Sequence, residues 1–207
     1  MNEAKEMAKL TKLHYDYAKQ YDEDPKKFEA LMSKEAPGWK LHEELSNRGV
    51  LVADKDGKRV ISIKGTDPKN ATDLISDLAL ATGLHKSNKQ FIERKNQIKD
   101  IMRGDKDKEY YITGHSLGAS IGAYALANSP SILRNTKKAY LFNQGSTPIF
   151  EAMLQPRKEN ITMLEEKVKH YKHANDPISK SAGKYGETFV LRNKKKGLNA
   201  HTILNFT

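Results

Sequence analysis

The sequence of 207 residues contains no cysteine, which excludes disulfide staples, a thiol nucleophile and thiolate metal sites together. Long apolar runs are also missing. The longest, Leu78 to Leu84, falls far short of the roughly twenty residues that cross a bilayer. Aromatic residues make up only 8% of the chain. They are not interleaved with the basic runs, and no helix-turn-helix, RNP or zinc pattern occurs, so no nucleic-acid partner is expected. The N-terminal stretch MNEAKEMAKLTKL mixes lysine and glutamate without an apolar core. It does not read as a secretory signal, so the mature chain is expected to start there and the protein to be intracellular.

Acidic residues are the scarcer charge: 26 Asp plus Glu against 36 Lys plus Arg give a net charge of +10. Taken alone, that balance suits a nucleic acid or an anionic membrane. It also suits a merely solvated surface, since lysine supplies 29 of the cations. With hydrophobic residues at 37%, the composition fits one soluble globular domain over residues 1–207, long enough to bury a core without staples.

Leu10, Leu13 and Tyr17 recur at helical spacing, which predicts an amphipathic helix over residues 3–21. Asp24-Pro25 reads as the cap and first turn of a second helix, ended by Pro37-Gly38. Alternating residues from Trp39 to Leu45, then Val50 to Val52 and Val60 to Ile63 around Asp56-Gly57, read as a β-meander. Beyond residue 64 helices and strands alternate. Leu74, Ile75, Leu78 and Ala81 share one helical face, and Phe91, Ile98 and Met102 share another that ends at Gly104. Strand-like runs fall at Tyr110–Thr113, Ala139–Phe142, Val168–His173 and Thr188–Leu191. The expectation is an α/β fold: a mostly parallel central sheet with an N-terminal antiparallel meander and helices on both faces.

Gly114-His115-Ser116-Leu117-Gly118 matches G-x-S-x-G, which places a serine on a tight strand-to-helix turn. A strand-like run precedes it and an Ala- and Gly-rich helical run follows, as that turn requires. A serine hydroxyl needs a base, and the base needs an orienting acid, in the chain order Ser, acid, His. Asp176 is the only aspartate after Ser116, and His201 the only histidine after Asp176. His170 and His173 precede the acid and suit surface or structural roles, while Glu187 opens a strand-like run. The backbone N–H of Leu117 and the N–H and hydroxyl of Thr66, after Gly65, are candidate oxyanion donors. No metal or cofactor is required.

Five blocks in order resemble the class 3 lipases, the fungal-lipase-like branch of the α/β-hydrolase fold. Ile63-Lys64-Gly65-Thr66 is similar to the oxyanion block and Asp73-Leu74-Ile75-Ser76-Asp77-Leu78 to the Asp-Trp-x-x-Asp-Leu segment. Gly114–Gly118 resembles the elbow, Asn175-Asp176-Pro177-Ile178 the acid motif, and His201 the base. Lys64 stands where the family has arginine and Leu74 where it has tryptophan. The resemblance implies a serine ester hydrolase acting on lipid or fatty-acyl esters, with residues 70–84, carrying Leu74, Ile75 and Leu78, as either a lid or a fixed helix packed on the sheet. Similar compact versions occur in intracellular bacterial and large-virus proteins. Triacylglycerol lipase, phospholipase A1 and acyltransferase activity all remain open on this triad. So do oligomeric state and, in a different class, a non-catalytic basic module. Arg192, Lys194, Lys195 and Lys196, shortly before His201, would set positive charge near the site and favour an anionic membrane surface.

Overall fold

The computed structural model describes residues 2–20, 24–65 and 85–207, with backbone only for 85–88, 148 and 149. Helices α1 (Glu3–Gln20) and α2 (Pro25–Glu35) come first. Asp24 caps α2 by accepting the Lys27 N–H at 3.0 Å, with Pro25 in the first turn where its missing N–H costs nothing. Strands β1 (Lys40–Leu41), β2 (Val50–Lys55) and β3 (Lys58–Ile63) form the antiparallel part of a seven-stranded sheet. Strands β4 (Glu109–His115), β5 (Thr136–Phe142), β6 (Val168–His173) and β7 (Glu187–Leu191) continue it in sequence order, each parallel to its neighbour from β3 onward. The fold is the expected mixed α/β arrangement with an antiparallel N-terminal edge.

The alternating strands bury both sides of the sheet. Val50, Val52, Ile61, Ile63, Ile112 and Leu141 pack towards α3 (His85–Gly104) and α4 (Leu117–Asn128). Leu51, Ala53, Val60, Tyr111, Tyr140 and Phe142 pack towards α1 and α2. Each fully buried aliphatic side chain among them contributes about 1.5–3 kcal/mol, which fixes register because a one-residue slip would expose every one.

The structure departs from the sequence reading in local ways. The first strand stops at Leu41, and Glu43–Leu45 form a 3₁₀ turn instead of continuing it. Ser46 causes the break: its hydroxyl donates to the His42 carbonyl at 2.7 Å and accepts the Val52 N–H at 2.9 Å, competing with the ladder. Short helices α5 (Pro130–Asn135), α6 (Pro148–Met153) and α7 (Ile161–Lys167), together with α8 (Leu198–His201), are too brief for a periodic signal. The expected helix through Leu74, Ile75 and Leu78, and with it the lid, lies outside the described residues.

Candidate active site

Ser116 lies between the end of β4 and the start of α4 with φ 56° and ψ −124°. A left-handed φ is strained for a serine and is tolerated where the surroundings over-determine it. They do so here. The Ser116 N–H donates to the Phe142 carbonyl at 3.0 Å, and its own carbonyl accepts from Gly145 N–H at 3.3 Å. Ser120, one turn along α4, donates to the Gly145 carbonyl at 2.6 Å and ties the loop after β5 to the turn. The flanking glycines are forced by contact. A Cβ on Gly118 would stand 2.1 Å from the Ile63 carbonyl oxygen, and one on Gly114 would stand 2.7 Å from the Gly118 carbonyl carbon. Backbone meets backbone at both places, so neither neighbour can give way.

Asp176 stands three residues beyond β6 and His201 ends α8, so each reaches the site from a different strand end, where open α/β sheets gather their functional groups. His201 Nε2 is 2.9 Å from Ser116 Oγ, and His201 Nδ1 is 2.8 Å from Asp176 Oδ2. A carboxylate only accepts, so Nδ1 carries the proton and Nε2 faces the serine hydroxyl with its lone pair. Asp176 Oδ1 accepts the Ile178 N–H at 3.0 Å. Burial by itself favours the neutral acid. The hydrogen bonds from His201 and from the Ile178 N–H outweigh it and hold the carboxyl below the usual carboxylate range.

Ser116, Asp176 and His201 are 1%, 2% and 2% exposed, so the three side chains lie within the protein's packed interior and not on its open surface. Leu117, a sequence candidate, is the first residue of α4, and its N–H is among those a helix cannot satisfy internally. The other oxyanion candidate, Thr66, lies outside the described residues. His170 and His173 take structural roles and not surface ones. His170 Nε2 donates to the Tyr185 carbonyl at 2.8 Å, and His173 Nδ1 accepts the Asn175 N–H at 3.1 Å, shaping the turn that presents Asp176. Among the described residues, no group of three or more His, Asp or Glu side chains is placed to hold a metal ion.

The sequence reading missed Asn143. This residue, at φ 40°, follows β5 and joins the acid and base loops. Its Oδ1 accepts the His173 N–H at 2.9 Å, while its Nδ2 donates to the Ala200 and His201 carbonyls at 3.0 and 2.8 Å. The signal available was an Asn directly after a strand, a residue type tolerant of left-handed φ.

No protein-family model and no curated protein matches the sequence. Among solved structures, the lipase of Rhizopus microsporus var. chinensis is similar over 94% of this chain and 75% of its own, with TM-score 0.53 and 13% identity. Lipase II from Rhizopus niveus covers 86% and 73%, with TM-score 0.49 and 12% identity. The chain therefore has a fungal-lipase-like α/β-hydrolase fold.

Proposed function

We propose that the protein is a carboxylic ester hydrolase acting on lipid or fatty-acyl esters. The observation that carries this is the continuous chain from Ser116 Oγ through His201 to Asp176, at 2.9 and 2.8 Å, on a turn held at positive φ. In the first half-reaction Ser116 Oγ attacks the ester carbonyl and its proton passes to His201 Nε2, leaving an imidazolium beside Asp176. The developing oxyanion is stabilised by the Leu117 N–H at the positive end of α4, with Thr66 as the proposed second donor. Collapse breaks the ester C–O bond, and the departing alkoxide takes the proton from His201 as an alcohol. Water then attacks the acyl-serine with His201 again as base, releasing the carboxylic acid and restoring Ser116.

A lipid substrate is favoured by what surrounds the triad. Asn175 Nδ2 donates to the Asn193 and Lys195 carbonyls at 3.1 and 2.9 Å, which fastens the loop carrying Arg192, Lys194, Lys195 and Lys196 beside the Asp176 turn. All four cations are exposed. Near an anionic bilayer each adds about 1 kcal/mol of adsorption. The fold likeness to a fungal lipase points the same way. The test is a panel of nitrophenyl esters of increasing acyl length, plus neutral and anionic phospholipid vesicles and triacylglycerol emulsions, with Ser116→Ala as blank. Turnover that vanishes in the blank and is faster on anionic than neutral vesicles at low salt is expected. Turnover that persists in Ser116→Ala, or none on any ester, contradicts the reading. Adding a free alcohol acceptor distinguishes hydrolysis from acyl transfer.

A further inference from the structure

Resting on that reading, we propose that Tyr15 and His115 form a hydrogen-bonded strut that fixes the base from behind, making Tyr15 on the N-terminal helix a positioning residue for His201. His115 Nε2 lies 2.6 Å from the His201 backbone carbonyl, and His115 Nδ1 lies 3.0 Å from the Tyr15 hydroxyl. A carbonyl only accepts, so Nε2 carries the hydrogen. Nδ1 of a neutral ring then presents a lone pair, and Tyr15 must donate to it. The order of donation is fixed from end to end: Tyr15 O–H to His115, and His115 N–H to His201. Complete burial and the neighbouring His201 push the His115 imidazole down to about 3, so the ring stays neutral at working pH.

The geometry gives this chain a task that the Ser–His–Asp bonds do not perform. Helix α8 is only four residues long, far below the length at which a helix holds itself together. The His201 carbonyl is at its C-terminal end, where no intrahelical donor exists. Both of its acceptor positions are filled from other elements, by His115 from β4 and by Asn143 at 2.8 Å from the end of β5. His115 directly precedes Ser116, so the strut ties the backbone of the base to the strand that carries the nucleophile. Tyr15 buttresses the His115 ring from the far side, with ring centroids 5.9 Å apart and nearly edge-on. During catalysis His201 becomes a cation with its ring 4.9 Å from that of His115. A second proton on His115 would repel it, and the Tyr15 donor opposes that protonation by occupying Nδ1.

The test combines kinetics with imidazole ¹⁵N NMR on the full chain. Wild-type His115 should show the tautomer protonated at Nε2 with a hydrogen-bonded Nδ1, and Tyr15→Phe, which keeps the ring packing, should shift the Nδ1 resonance towards that of a nitrogen without a donor. With a soluble nitrophenyl ester, Tyr15→Phe should lower kcat by about 3- to 10-fold with KM little changed, the signature of a misplaced base. The double variant Tyr15→Phe/His115→Leu should lose no more than His115→Leu alone, because the two residues act as one unit. A wild-type kcat in Tyr15→Phe, additive losses in the double variant, or a His115 ring protonated at Nδ1 would overturn the proposal. If the wild type turns over no ester, the hydrolase reading fails, and the tautomer measurement still decides the strut.

Discussion

The two faces of the sheet are built from different chemistry. Under α3 and α4 the core is apolar: Ile61, Ile63, Ile112 and Leu141 cluster with Ala119, Ala123 and Leu126 and with the buried rings of Phe91 and Phe150. Under α1 the same strands present Ser62, Thr113 and His115 among the apolar residues. Thr11 meets Thr113 at 2.7 Å, His14 Nδ1 meets Ser62 at 3.2 Å, and Tyr15 meets His115 at 3.0 Å. Tyr140 also bonds the Glu3 carboxylate. Apolar burial is non-directional, and it lets α4 approach closely enough to carry the serine turn. Hydrogen bonds are directional, so the α1 face fixes that helix in one register against the strand ends that hold the site.

The contrast can be broken most severely on the apolar face under α3 and α4. Gly118→Ala drives a methyl group into the Ile63 carbonyl, and a loss of more than about 4 kcal/mol, read as unfolding or insolubility, is expected. Leu126→Ala, deleting a fully buried side chain, should cost about 3 kcal/mol in urea denaturation.

The α1 face answers to pH. Burial first of all pushes His14 and His115 down to about 3, and His170, on the other face, to about 4. All three are lower in the folded protein than in the unfolded chain, where a histidine titrates near 6.5. The unfolded chain therefore binds protons that the native state refuses. The stability they confer is complete above about pH 6.5 and is lost as pH falls towards these lowered values, at about 1.4 kcal/mol per pH unit for each histidine. Thermal melts from neutral to acid pH should show that slope, and His14→Asn should flatten it. A Tm unchanged down to about pH 4 would contradict it. The smallest effect belongs to Thr11→Val, which removes one of the two partners of the Thr113 hydroxyl and should cost about 1 kcal/mol.

What the sequence made legible follows the same division. Strand alternation, the capped second helix, the serine turn and the order Ser116, Asp176, His201 are local patterns or eliminations along the chain, and the structure brings those three side chains together. Asn143 was not legible because its role depends on a left-handed backbone and on carbonyls nearly sixty positions away, and the Tyr15–His115 bond spans 100 positions. Short helices such as Pro148–Met153 carry too few turns to show a period. Side-chain bonding by Ser46, which ended the first strand early, leaves no trace in an apolar pattern.

The most direct measurement of the central claim is labelling with a lipid-like fluorophosphonate in the presence of detergent, followed by intact-protein mass spectrometry. One covalent adduct is expected on the wild type, mapped to Ser116 and absent from Ser116→Ala, with labelling at least about 100-fold slower in His201→Ala. No adduct at any pH from about 6 to 9, or an adduct that survives in Ser116→Ala, would contradict it.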